Sequence, residues 1–322
     1  MASPLLISLL GITLRNPIIL AAGTAGVLDE MHEVLDLANV GAVTTKSITL
    51  EPREGNATWR ILPARAGMLN AIGLANPGLD GFLEGHAPRA RALPCKVFVS
   101  VAGFTVDEFV RVAANLDAFA HDSGASTSGP GASGLAGIEL NVSCPNVHTG
   151  TEFGSTPAAI RELLGAVRPV VKSIPLWIKL APTTPDIVGV ARAALEAGAQ
   201  ALTIGNTVPA MMIDVERRRP ALANVTGGLS GPAIHAVALR AVHEVYRKVA
   251  QPAGAPIIAA GGVLRWEDAA EFILAGATAV QMGTALFADP HSPIHVARGL
   301  ERWVKRQKCA NISELVGALV LD

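Results

Sequence analysis

Gly137-Ile138-Glu139-Leu140-Asn141-Val142-Ser143-Cys144-Pro145-Asn146 changes character half way along. Ile138 to Val142 reads as a buried strand. Beyond it come Ser143, Cys144 and Asn146, and Pro145 ends the ladder because it has no N–H to donate. An apolar strand whose C-terminal end turns polar is where an α/β barrel places its chemistry. Cys144 there is a nucleophile or base if its surroundings lower its pKa from about 8.5. Otherwise it is a small buried hydrophobe, as most free cysteines are.

Runs of the same kind recur on both sides. In chain order they are Pro17–Gly23, Ala42–Ser47, Lys96–Gly103, the Asn141/Cys144 strand, Leu176–Ala181, Ala201–Thr207, Pro256–Gly262 and Ala279–Thr284. Between most of them lie helical periodicities: Val106–Ala120, Pro157–Val171, Pro185–Ala197, Pro232–Val249 and Trp266–Ala275. Several open on Thr or Gly followed by Pro, which suits a first helical turn. Gly198-Ala199 and Gly276-Ala277 suit helix ends. Eight such units in this length predict a (β/α)8 barrel forming one domain over residues 1–322. An open doubly wound sheet is the alternative, but Ala21-Ala-Gly23-Thr-Ala-Gly26 is not a GxGxxG turn.

Three stretches break the rhythm. Pro4 to Leu14 is apolar, but it lacks a basic leader and is split by Gly11, so it reads as a β-hairpin rather than a signal segment. Thr49 to Leu74 is a long loop expected at the catalytic face. Residues 123–136 are rich in Gly and Ser and are expected to be a flexible, functionally neutral insertion at the opposite face.

The 322 residues carry a formal net charge of -1, which leaves no footprint for nucleic acid or an anionic membrane. No apolar run approaches the roughly 20 residues of a membrane span. Cys95, Cys144 and Cys309 suggest neither a disulfide framework nor a zinc site, and a reducing cytoplasm is the simpler setting. Cys95 and Cys309 read as structural.

With the strands aligned, one rim collects Lys46, Ser47, Ser100, Asn141, Cys144, Lys179, Asn206, Thr207, Gly261, Gly262, Gly283 and Thr284. The glycine pairs close strands seven and eight, the usual phosphate site of such barrels. Gly228-Leu-Ser-Gly231 opens the next helix and can add amides. Lys46 and Lys179 sit inside apolar strands, where a charge is expensive without an anion or electron-rich partner. Asn70, Asn141 and Asn206 have the donors and acceptors to hold a small planar molecule bearing amides. His148 reads as exposed and non-catalytic.

These residues resemble a known family. Thr45-Lys46-Ser47, Gly67-Met-Leu-Asn70-Ala-Ile-Gly73-Leu74, Asn141-Val-Ser-Cys144-Pro-Asn146, Ile178-Lys179-Leu, Asn206-Thr207, Gly228-Leu-Ser-Gly231-Pro-Ala, Ala260-Gly261-Gly262 and Met282-Gly283-Thr284 look like dihydroorotate dehydrogenase over essentially the whole chain. The resemblance implies an FMN-containing barrel that oxidises (S)-dihydroorotate to orotate in pyrimidine biosynthesis. Cysteine at 144, where the membrane-bound class has serine, points to the soluble class. Thr49-Leu-Glu-Pro-Arg-Glu-Gly-Asn56, Cys144-Pro-Asn-Val-His-Thr-Gly-Thr-Glu-Phe-Gly154 and Gly231-Pro-Ala-Ile-His235 resemble its B-type catalytic subunit. That type forms a heterotetramer, a homodimer of catalytic subunits joined to electron-transfer subunits that carry FAD and a 2Fe-2S cluster and reduce NAD+. A fumarate-dependent A-type enzyme, or a dehydrogenase of another dihydropyrimidine, is the nearest alternative. A flavin-free phosphate-binding isomerase or aldolase, or a non-catalytic scaffold, lies further off.

By the same resemblance Cys144 is the base, on a loop from Pro145 to Gly154 that acts as a lid. Lys46, Asn70, Ala71, Ile72, Gly73, Leu74, Asn141, Asn206 and Thr207 hold substrate. Ala22, Lys46, Ser47, Ser100, Asn141, Lys179, Gly205, Gly231, Gly261, Gly262, Gly283 and Thr284 hold FMN. Three positions depart from the family pattern: Ala22 where serine is common, Ser100 where asparagine is common, and Gly205 where a bulkier apolar residue is usual.

Overall fold

The computed structural model describes residues 3–122, 134–142 and 153–321. Eight parallel strands close into a barrel in chain order: β1 (Ile18–Leu20), β2 (Ala42–Thr44), β3 (Lys96–Val101), β4 (Leu135–Asn141), β5 (Leu176–Leu180), β6 (Leu202–Ile204), β7 (Ile257–Ala260) and β8 (Ala279–Met282). The ring is sealed where Val280 of β8 pairs with Ile18 of β1. Almost every strand residue is buried, because helices cover the outside and side chains fill the inside. That is the fold the strand pattern predicts.

Helices follow β2 to β8, at Gly78–Gly85, Val106–Asp122, Pro157–Val167, Ile187–Glu196, His235–Val245, Trp266–Leu274 and Ser292–Arg306. The first and last of these lie outside the helical stretches read from the sequence, although both carry a helical apolar periodicity. The β1–β2 connection departs from the repeat, with two short 3-10 turns, Glu30–Glu33 and Leu37–Asn39, in place of an α-helix. Local chemistry sets the helix starts: Thr156 Oγ1 accepts from Ala159 N and Pro157 occupies the first turn. Gly198 and Gly276 leave their helices at φ +98 and +117, a left-handed region open to glycine.

The N-terminal run is a hairpin, Ile7–Leu9 against Ile12–Leu14. Leu10 and Gly11 form its turn, both at positive φ, which matches the twist of the strands. The Thr49–Leu74 stretch differs from the expected irregular loop. Ile61–Ala64 pairs with Gly67–Asn70, which pairs with Thr226–Ser230, which pairs with Val208–Met211, giving a four-stranded antiparallel sheet outside the barrel. Its strands contain Pro63, Pro209 and paired glycines, and only Leu69 of the 67–70 strand is buried, so no alternating apolar pattern announces them.

β4 begins at Leu135, earlier than the sequence pattern indicated. Leu135 and Ala136 belong to the strand and not to the Gly/Ser-rich insertion, because Leu135 pairs with Val97 and both are buried. Residues 123–133 lie outside the described residues. The N-terminal end of the barrel interior is filled by Phe98 and Trp177, edge to face at 4.9 Å. Gly137 makes room for that indole: a Cβ there would fall 2.5 Å from the Trp177 ring. With this end packed, the opening lies at the strands' C-terminal ends.

Candidate active site

A cavity of about 570 Å³ occupies that end, roofed by the four-stranded sheet. Lys46 and Ser47 reach it just beyond β2, Asn141 at the end of β4, Lys179 from β5, and Gly205, Asn206 and Thr207 beyond β6. The roof contributes Asn70, Ile72, Gly73 and Leu74. Ala22, Gly231, Gly261, Gly262, Gly283 and Thr284 line the side formed by β7, β8 and β1. Two expected contacts do not reach it. Ala71 is fully buried among Leu69 and Leu222, and Ser100 is fully buried behind Ser47. Cys144 and His148 lie outside the described residues; of the loop read as a lid, Phe153 and Gly154 are described.

One wall is a hydrogen-bonded polar chain. Asn206 Nδ2 donates to Asn141 Oδ1 at 3.3 Å, and Asn141 Nδ2 donates to Ser47 Oγ at 3.2 Å. Ser47 and Ser100 share a hydrogen bond at 2.8 Å. Ser100 therefore acts through Ser47, fixing its hydroxyl and so the Asn141 amide. The Asn206 side chain also accepts from Thr207 N at 2.8 Å, and Asn70 Nδ2 donates to Gly228 O at 3.2 Å. These bonds set the orientation of three amides around the cavity.

Glycines form the opposite side. A Cβ on Gly262 would fall 2.7 Å from Gly231 O, and one on Gly231 would fall 2.8 Å from Gly67 Cα. Three backbones thus approach closely where only hydrogens separate them. The His235–Val245 helix starts just beyond Gly231, and a helix start favours negative charge. Thr284 Oγ1 donates to Ser230 Oγ at 2.8 Å, which ties the end of β8 to the sheet. Gly205 explains itself: at φ +139 any Cβ would strike the Ala260 carbonyl, so the bulkier residue usual there has no room.

Electrostatics distinguish the two lysines. Burial pushes the half-buried Lys46 ammonium below the ordinary lysine value; nearby Arg60 adds to that, and Glu30 opposes it. An anion in the cavity would restore the balance. Lys179, 6% exposed, is held from below: Nζ lies 3.7 Å from Glu139 Oε1 and donates to Gln281 Oε1 at 3.4 Å. Glu139 and Gln281 escaped the sequence reading, although a charge inside an apolar strand is the signal that singled out Lys46 and Lys179. Cys95 is buried and its thiol is pushed up to about 12 by that burial, in keeping with a structural role.

The arrangement is a barrel site at the strands' C-terminal ends, with close-packed glycine backbones on one side, a lysine on the floor and three amides around it, the place where barrels of this kind carry enzyme chemistry. Residues 5–304 match the dihydroorotate dehydrogenase family, and the chain belongs to that family. It is 45% identical over 316 residues, 98% of both chains, to the dihydroorotate dehydrogenase B (NAD(+)) catalytic subunit of Citrifermentans bemidjiense. It is 45% identical over 313 residues to the subunit of the same name from Desulforudis audaxviator, covering 97% of this chain and 96% of that one. The Geotalea daltonii subunit of that name is 44% identical over 321 residues, 99% of each.

Proposed function

We propose that this chain oxidises (S)-dihydroorotate to orotate in pyrimidine biosynthesis, with FMN as its cofactor and Cys144 as its base. The observation that carries the reading is the meeting, in one cavity, of Lys46, Lys179, three asparagine amides and the glycine cradle. The names of the relatives support the substrate.

The residues fit FMN. The close-packed backbones at Gly231 and Gly262 leave no side chain between main chain and cavity, which suits a phosphate, and a cavity of about 570 Å³ lies within the usual range for ligand sites. When bound, FMN would supply the acceptor for the hydride that leaves substrate C6. The chain's own residues do the rest. Lys46 pairs with the substrate carboxylate, a charge-assisted contact for an ammonium that burial has left short of counter-charge. Asn70, Asn141 and Asn206 orient the ring. Cys144, three residues beyond Asn141 in the sequence, takes the C5 proton as thiolate, so that loss of proton and hydride leaves the C5=C6 double bond. Lys179 supplies positive charge at the floor as negative charge develops above it.

The assembly is a heterotetramer: two catalytic subunits with electron-transfer subunits carrying FAD and 2Fe-2S, NAD+ as final acceptor, in the cytoplasm. The relatives' names, with "catalytic subunit" and "NAD(+)", support a partner subunit and the acceptor. Trp59, Met211, Ile213 and Val215, on and beside the four-stranded sheet, are exposed apolar side chains of the kind a partner chain covers. No described helix is long and apolar enough to cross a membrane.

The test is Cys144→Ala in rapid mixing with dihydroorotate. Flavin binding is retained, and bleaching of its visible band slows by at least about a hundredfold, the usual range for loss of a general base. Bleaching at the wild-type rate would remove Cys144 from the reaction.

A further inference from the structure

Beneath the cavity lies a buried group that does not line it. Glu139 is fully buried in the barrel interior, and Trp177, Thr203 and Gln281 converge on it from β5, β6 and β8. Its Oε2 accepts from Gln281 Nε2 at 2.7 Å, Thr203 Oγ1 at 2.7 Å and Trp177 Nε1 at 3.3 Å. Its Oε1 takes no hydrogen bond among the described residues and faces Lys179 Nζ at 3.7 Å. Three donors saturate one oxygen and orient the other toward the ammonium. Lys179 and Gln281 line the cavity; Glu139, Thr203 and Trp177 do not.

A carboxylate in a barrel core is costly, and three neutral donors do not supply the missing charge. Lys179 does. We propose that Glu139 is a positioning residue that holds the Lys179 side chain at the cavity floor, so that a cofactor reduced there meets a positive charge fixed in place. The inference rests on the flavin reading above.

It has a consequence for the potential of the cofactor. A positive charge held at the floor favours negative charge on a reduced flavin above it. Removing the Glu139 carboxylate by itself takes away a negative charge and makes reduction easier; letting the ammonium swing from its place makes reduction harder, in the same direction as removing Lys179.

The test is the flavin reduction potential at one pH, with a chemical reductant and a reference dye, in wild-type protein, Glu139→Gln and Lys179→Met. Glutamine keeps the shape and can still accept from Gln281 and Thr203. E139Q is expected to fall below the wild type, in the same direction as K179M, by at least about tenfold in the reduction equilibrium, about 30 mV for a two-electron couple. An E139Q potential equal to or above that of the wild type would overturn the positioning role while leaving the flavin reading intact. A wild-type chain that holds no flavin would remove both.

Thermal unfolding gives a second reading that needs no flavin. Lys179→Met leaves the Glu139 carboxylate buried without its ammonium. The double variant K179M/E139Q is expected to unfold at a higher temperature than K179M alone, because it removes the stranded charge. If the double variant unfolds at the same or a lower temperature, the two groups are not a pair and the proposal fails. This comparison stands even if E139Q by itself does not fold.

Discussion

Replacing Asn76 by alanine should loosen the roof of the cavity without touching its contents. Asn76 is 8% exposed and bonds with both side-chain ends. Oδ1 accepts from Thr49 N at 3.2 Å and Gly78 N at 2.9 Å. Nδ2 donates to Thr49 Oγ1 at 2.8 Å and Leu74 O at 2.7 Å. Its backbone exchanges two further bonds with Arg53. One side chain therefore joins the start of the roof segment to its end. Each lost bond costs about 0.5–1.5 kcal/mol net, and water can reach the half-buried Leu74, which places the sum near 3 kcal/mol. Asn76→Asp keeps the acceptor and loses the donors, so about half of that is expected. The assay is urea unfolding followed through the flavin and the tryptophans, with orotate titrated into the folded variants. The unfolding midpoint should fall in the order wild type, Asp, Ala. Orotate affinity should fall with it, because Asn70 and Leu74 hang from the same segment, while flavin content holds because Gly261, Gly262, Gly283 and Thr284 stand at the ends of β7 and β8. A midpoint shift worth less than about 0.5 kcal/mol for Asn76→Ala would refute the reasoning, since that is the noise expected of an ordinary surface change.

Two other outcomes follow from the geometry. Gly205→Ala is expected to destabilise the chain by about 3 kcal/mol in the same urea assay, from a strained φ and a Cβ driven into the Ala260 carbonyl; a neutral effect would contradict the close approach. With the proposed pairing of Lys46 and the substrate carboxylate, which needs the protonated amine, and with burial lowering the Lys46 pKa, orotate affinity should be level at neutral pH and fall as pH rises through a midpoint below the ordinary lysine value of about 10.4. Lys46→Met should bind weakly at all pH values and lose that alkaline decline; a decline of the same size in the variant would assign it to another group.

Much of the barrel was legible because each strand is a continuous apolar run ending in small or polar residues. Burial on both faces produces such a pattern, and the strand order followed from it. The site was legible for a related reason: the residues that break the pattern at strand ends, such as Lys46, Asn141, Lys179 and Asn206, break it because they face the cavity. Failures have equally local causes. Ser100 sits at a strand end, but its side chain bonds to Ser47 and turns away from the cavity, a difference of one neighbour that sequence position does not encode. Glu139 lies mid-strand, below the rim, and attention to strand ends passed over it. The roof sheet was hidden because its partners are far apart in the chain, Gly67–Asn70 against Thr226–Ser230, and because Pro and Gly erase its alternation. Asn76 carries no sequence signal at all; its importance comes from the two loop ends it happens to join.

The central claim, that this barrel oxidises dihydroorotate through a bound flavin, is met most directly by an anaerobic visible spectrum of the purified chain before and after adding dihydroorotate. The account expects a flavin band that bleaches on addition, with orotate formed in equal amount. A chain that holds no flavin even after incubation with FMN, or a flavin band left unchanged by dihydroorotate, would contradict it.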